Sequence, residues 1–168
     1  MVGTGADYMS DQLTADIRLA DPRHPEVMAI LSTHLQTMDD QAPGVPSTCQ
    51  HALNVDGLCT PDIAFRAAWL GNEIAGVGAL KSHGGGLSEL KSMHTLAAFR
   101  GRGVGRALLE HLLAIARGRG DERVSLETGA QPGFATSREM YAKAGFEECQ
   151  PFADYRPDPN STFMTLKL

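Results

Sequence analysis

Cysteine is scarce in this chain: Cys49, Cys59 and Cys149 are three, an odd number, and none forms a C-x-x-C pair. That weighs against a disulfide framework and against a thiolate zinc site, so reduced thiols are expected and no metal is predicted. Long apolar runs are lacking too. None approaches the roughly 20 residues of a membrane helix. The opening stretch Met1-Val-Gly-Thr-Gly-Ala-Asp-Tyr8 lacks the basic-then-apolar order of a secretion signal. A cytoplasmic protein with no membrane partner is expected. Basic excess is also absent, the net charge being -5, and aromatics make up only 6%. Polyanion binders usually show basic excess and single-strand binders use stacking rings, so both features weigh against a nucleic-acid partner and none is expected.

What the chain does have is enough material for one core. Its 168 residues are 42% hydrophobic and 21% charged, which suits one globular domain. Residues 1–13 read as a flexible N-terminal tail and 14–168 as a single domain, with no internal repeat or interdomain linker.

Ala15 to Leu19 alternate as a first strand, and Asp21-Pro-Arg-His-Pro25 reads as a turn opening a helix that runs to about Met38. Val27, Ile30, Leu31 and Leu35 keep helical spacing there. A loop from Asp39 then leads to a second short helix near Gln50 to Leu58. Strands follow at Ala64 to Leu70 and Glu73 to Lys81, joined by Gly71-Asn72, and a flexible loop from Ser82 leads to a strand at Ser88 to Leu96. Further strands are expected at Arg123 to Glu127, Phe146 to Gln150 and Ser161 to Lys167, with a helix at Phe134 to Lys143. Periodicity alone reaches α/β or α+β.

The charged exception to this acidic body is the run from Glu89 to Leu109, where a strand enters an arginine- and glycine-rich turn that opens into a helix. Val104, Ala107, Leu108, Leu112, Ile115 and Ala116 form the helical stripe, so the free amides and dipole of the first turn face back toward the loop. Gly101, Gly103 and Gly105 leave that backbone approachable. Arg100, Arg102 and Arg106 surround it with positive charge, which together makes a cradle for a diphosphate. The same run reads also as a glycine turn with solvated arginines, or as a nucleic-acid-binding patch.

Spacing narrows the ligand. A dinucleotide fingerprint started at Gly101 needs Gly or Ala where Arg106 stands, and one started at Gly103 needs it where Leu108 stands. A triphosphate loop needs Gly-Lys-Ser/Thr, which does not follow these glycines. What remains is Arg-x-x-Gly-x-Gly, carried by Arg100, Gly103 and Gly105. It resembles the pyrophosphate motif of the GNAT superfamily of acetyl-CoA-dependent N-acetyltransferases. Downstream, Met140-Tyr-Ala-Lys-Ala-Gly-Phe-Glu147 is similar to the helix end and following strand of that superfamily. Together the two motifs span roughly residues 65 to 150. One departure is visible: many members carry an Asn seven residues before the tyrosine, where this chain has Phe134.

The resemblance implies a GNAT fold, with a central, mostly antiparallel twisted sheet flanked by helices on both faces. It implies acetyl-CoA as co-substrate, an amine acceptor and often a homodimer. The cofactor contacts it implies are Met93, His94 and Thr95 on the strand, then Arg100, Gly101, Arg102, Gly103, Val104, Gly105 and Arg106 in the loop. The Met93 amide would be the oxyanion donor.

Acetyl transfer to an amine needs a proton acceptor, a donor for the thioester oxygen and a donor for the leaving sulfur. Glu89, eleven residues before Arg100, stands where some members carry the catalytic glutamate, and it reads otherwise as an exposed strand carboxylate. His94 and Glu127 are its rivals. In an ideal strand Glu89 and Met93 share a face and His94 points opposite, but a bulge would change that parity. Tyr141 is the candidate acid. Asp39, Asp40, His51 and the loop Pro151 to Asn160 are candidates for the acceptor side, although each aspartate reads also as turn chemistry. The alternative function is a catalytically silent acyl-CoA-binding regulatory domain.

Overall fold

Alternating apolar residues close into one seven-stranded sheet in the order β1-β2-β3-β4-β5-β7-β6 in a computed structural model that describes residues 14–46 and 52–168. β1 is Asp16–Leu19, β2 Ile63–Leu70, β3 Glu73–Gly84, β4 Leu87–Thr95, β5 Arg123–Gly129, β6 Glu147–Glu148 and β7 Ser161–Lys167. The helices are α1 (Pro25–Gln41), α2 (Val104–Arg119) and α3 (Ala135–Lys143). Only β4 and β5 run parallel; the other neighbours are antiparallel. Among the described residues no helix is long and apolar enough to cross a membrane.

The helices divide the core by face. Val27, Ile30 and Leu31 of α1 pack on Phe65, Ala67, Val77 and Ala79. Leu109, Leu112 and Leu113 of α2 pack on Leu80, Leu90, Val124 and Leu126, and Tyr141 and Phe146 join them around the C-terminal end of α3. Period-two alternation then sorts every strand residue to one side or the other.

Two features decide where the site lies. β4 and β5 pair from Leu87 with Arg123 through Leu90 with Leu126, and their pairing ends there. In β4, Val77 pairs with His94 and Ala79 with Lys91, so Ser92 and Met93 both stand opposite the single Gly78. This is a bulge, and Ser92 at φ 52° marks it. It inverts the ideal-strand parity. Glu89, Lys91 and His94 lie on the α1 face with Ala79 and Val77, while Met93 packs on the α2 face. The close approach needs a glycine, because a Cβ at Gly78 would sit 2.6 Å from the Met93 sulfur.

Three sequence expectations are adjusted. The helix expected near Gln50 to Leu58 begins in residues outside the described ones, and from Ala52 on there is only a single 3-10 turn, Gly57–Cys59. The Asn54 side chain, rather than a helical carbonyl, accepts from the Gly57 amide at 2.8 Å. The loop expected from Ser82 is mostly strand: β3 and β4 continue to a tight turn, where Gly84, Gly85 and Gly86 all have positive φ. The strand expected at Phe146 to Gln150 is only two residues long.

Candidate active site

Where β4 and β5 part, a cleft of about 550 Å³ opens, bounded by α1 on one side and by the starts of α2 and α3 on the other. Its two ends differ in chemistry.

One end is the arginine–glycine loop. Gly103, at φ 80°, is the N-cap of α2, and Gly101 has φ 75°. L side chains rarely adopt that region, so glycine is what lets the chain turn directly into the helix. The first helical bond runs from the Ala107 amide to the Gly103 carbonyl at 3.0 Å. The amides of Val104, Gly105 and Arg106 therefore lie ahead of the helical ladder, and no side-chain cap covers them. Arg100, Gly101, Gly103, Val104, Gly105 and Arg106 line the cleft. Arg102 does not; its guanidinium sits 5.9 Å from the centre of the Phe99 ring. Arg100 donates from Nε to the Thr95 carbonyl at 3.2 Å, which ties the loop to the end of β4. Bare amides and a helix dipole open here beside Arg100 and Arg106, the latter donating from Nε to Glu110 at 2.8 Å, and that donor set fits the diphosphate of a coenzyme A thioester.

Between the ends lies the strand edge left open by the divergence of β4 and β5, with Lys91, Ser92, Met93, His94 and Thr95 along it. Tyr141 faces it from α3. Its ring is buried, at 6% exposure, and burial pushes the phenol well above its ordinary pKa, so it keeps its proton. Phe134, standing in place of the family's Asn, lines the same stretch.

The far end is built on the α1 face. His34 of α1 and His94 share a hydrogen bond between their Nδ1 atoms at 3.3 Å, with ring centroids 5.1 Å apart. One Nδ1 donates and the other accepts, which requires the accepting ring to be neutral. Burial lowers both to about 4, His34 being pushed further by His94 and His94 by Arg100. Glu127 lines the wall across from them and accepts from the Ser161 hydroxyl at 2.8 Å.

Glu89 does not line the cleft. At 2% exposure it lies behind the wall, where it holds His83 Nε2 at 2.8 Å, Lys91 Nζ at 3.0 Å and the Tyr155 hydroxyl at 2.5 Å. Lys91 also donates to Tyr155 at 2.8 Å. Of these partners Lys91 lines the cleft, so Glu89 reaches it through Lys91, which Tyr155 helps to hold. Of the expected acceptor-side residues, Asn160 lines the cleft, Asp39 and Asp40 do not, and His51 lies outside the described residues.

Three buried side-chain polar atoms among the described residues have no hydrogen-bond partner: Ser92 Oγ, His94 Nε2 and Gln131 Oε1. All three residues line this cleft. Unsatisfied buried groups are costly in a folded chain, and their concentration here marks a surface shaped to meet a ligand.

His34, Lys91 and Tyr155 were not singled out from sequence. His34 continues the α1 stripe of Val27, Ile30 and Leu31, and a histidine in an apolar register was the signal available. Lys91 is two residues from Glu89 and shares its face. Tyr155 lies within the Pro151 to Asn160 loop expected on the acceptor side, but nothing local distinguishes it from its neighbours there.

Comparison with known proteins agrees with this geometry. The model of the acetyltransferase (GNAT) family matches residues 32–146. The chain is 43% identical over 152 residues to the uncharacterized N-acetyltransferase YedL of Escherichia coli (strain K12), covering 90% of this chain and 94% of that protein. It is equally 43% identical over 152 residues to the uncharacterized N-acetyltransferase YsnE of Bacillus subtilis (strain 168), covering 90% and 99%. Among solved structures, an acetyltransferase from Streptococcus agalactiae superposes with a TM-score of 0.73 at 21% identity, covering 92% of this chain and 98% of that one. A Bacillus subtilis acetyltransferase in complex with CoA superposes at 0.67 with 17% identity, covering 92% and 99%. With a helix N-terminus, a parted β4–β5 edge and relatives alike over nearly their whole length, the chain belongs to the GNAT family of acetyltransferases, enzymes that depend on acetyl-CoA.

Proposed function

We propose that this enzyme transfers the acetyl group of acetyl-CoA to a primary amine of a small molecule or protein, by direct attack within a ternary complex. The observation that carries the proposal is the uncapped N-terminus of α2 opening onto the parted strands, with unpartnered polar atoms along the cleft between them. Direct attack is supported by chemistry as well: among the described residues no cysteine lines the cleft, Cys59 and Cys149 both lying elsewhere.

Acetyl-CoA supplies a thioester whose carbonyl carbon accepts the nitrogen and whose sulfur leaves. The amides of Val104, Gly105 and Arg106, with Arg100 and Arg106, hold its diphosphate. The open edge of β4 offers backbone groups at Met93 and Thr95 to the arm that follows, and the Met93 amide, freed from regular pairing by the bulge, is the donor for the carbonyl oxygen. The Tyr141 hydroxyl donates its hydrogen to the leaving sulfur. Burial makes it a weak acid, so its contribution is a hydrogen bond that strengthens as charge builds on sulfur.

Glu127 takes the proton from the amine nitrogen, since among the described residues it is the carboxylate in the cleft wall. Glu89 acts one layer back, fixing Lys91 and Tyr155. The neutral His34–His94 pair offers hydrogen bonds without a cation that would repel an ammonium group.

The test is release of free CoA thiol from acetyl-CoA in the presence of an amine panel. Tyr141→Phe is expected to lower kcat by about tenfold to a hundredfold, the lower part of the range for a positioned proton donor, with acetyl-CoA affinity nearly unchanged. Unaltered turnover would remove Tyr141 from the mechanism. Binding of acetyl-CoA without turnover on any amine would support the silent-domain alternative.

A further inference from the structure

Away from the arginine loop, the charged residues of the cleft wall among the described residues are Lys91 and Glu127. They are the first residues beyond the last paired rung, Leu90 with Leu126, so they stand on either side of the point where the two strands part. Both side chains belong to the α1 face: Lys91 pairs with Ala79 of that face, and Glu127 follows Leu126, which pairs with Met164 on the α2 face. A cation and an anion therefore flank the floor of the acceptor end.

Lys91 is an unusual wall residue. Its side chain is only 8% exposed, and buried ammonium groups are retained only where partners hold them. Glu89 and Tyr155 take two of its three N–H donors, and the Tyr155 ring lies 5.6 Å from the ammonium. One donor is left over, on a residue that lines the cleft. Glu89 and Tyr155 fix this ammonium in place from behind, and the imidazoles opposite add no charge.

We propose that the acceptor carries a carboxylate as well as its amine, with Lys91 holding the carboxylate and Glu127 facing the amine, so that the substrates are free amino acids and not simple amines. This rests on the acetyl-transfer function proposed above. In the reaction the amine nitrogen bonds to the acetyl carbon and the carbon–sulfur bond breaks. The ammonium first gives one proton to Glu127 and so becomes the attacking amine; the second proton leaves the nitrogen as the amide forms and passes to the departing sulfur, so CoA leaves as the free thiol. The product is an N-acetyl amino acid that has lost its positive charge and kept its negative one, so Lys91 discriminates by a group that does not react.

The experiment compares kcat/KM for amino acids with that for their decarboxylated amines and their carboxamides, each at saturating acetyl-CoA. Wild-type protein is expected to prefer the amino acid at least tenfold in each set. Lys91→Met is expected to collapse that ratio toward one. Because that variant leaves the Glu89 carboxylate buried without its cation, Glu89→Gln/Lys91→Met is assayed beside it and should also lose the preference. Equal use of the three members of each set by wild-type protein overturns the proposal, as does failure to acetylate any amino acid. A parallel calorimetric titration with acetyl-CoA reports on the underlying function separately: binding together with indifferent amine use removes only the carboxylate claim, and absence of binding removes the function itself.

Discussion

At the scale of single residues, the titratable groups of this chain carry most of what is checkable. His34 and His94 fold as neutral rings, with pKa values lowered to about 4, mainly by burial. The unfolded chain protonates its histidines near 6.5. The stability these rings contribute is therefore complete above about pH 6.5 and is lost as pH falls toward 4, because the unfolded state takes up protons first. A drop on the order of a few kcal/mol is expected across that window. His34→Gln/His94→Gln should flatten the dependence of melting temperature on pH between 7 and 4.5, and an unchanged slope would contradict the neutral pairing.

Glu89 makes a different prediction. It is a buried carboxylate with three partners, and removing one member of a buried ion pair typically costs about 3–5 kcal/mol. Gln keeps part of the hydrogen bonding, so Glu89→Gln is expected to cost about 2–4 kcal/mol in urea unfolding. A loss of turnover with stability fully retained would instead favour direct contact between Glu89 and the acceptor.

At the scale of elements, the bulge in β4 decides the site, and it explains which parts of the site could be read from sequence. Most strands, all three helices, the glycine–arginine loop and the tyrosine near the end of α3 follow from periodicity, turn residues and spacing, because those signals are local. Which face Glu89, Met93 and His94 occupy does not, since one extra residue at Ser92 and Met93 swaps the parity of everything after it. The sequence leaves a glycine at position 78 as its only trace, a small residue opposite a bulge whose purpose is visible only when Met93 lies over it. The Glu89–Lys91–Tyr155 cluster was equally hidden, because Tyr155 arrives from a loop 66 residues downstream of Glu89. Gly78→Ala would place a Cβ 2.6 Å from the Met93 sulfur and 3.2 Å from a Leu112 methyl. Overpacking of this kind costs about 1–3 kcal/mol, and the displaced bulge should also lower turnover. A variant with wild-type stability and activity would show that the bulge tolerates the added carbon and does not set the site.

At the scale of the whole molecule, one sheet separates two chemistries. The α2 and α3 face supplies amides, guanidinium groups and a buried phenol, whereas the α1 face supplies neutral imidazoles, Glu127 and a fixed ammonium; the gap between β4 and β5 joins them. The acidic overall balance, with its basic loop, suits a small anionic co-substrate better than a polyanion. The central claim is that the start of α2 is where acetyl-CoA is held. Isothermal titration with acetyl-CoA, for wild-type protein and for Arg100→Ala and Arg106→Ala, tests it most directly. Saturable one-to-one binding is predicted, weakened about tenfold or more in each variant, as the loss of a charge-assisted hydrogen bond worth roughly 1.5–3 kcal/mol requires. Well-folded protein that does not bind acetyl-CoA, or that binds it equally well without either arginine, would contradict the account.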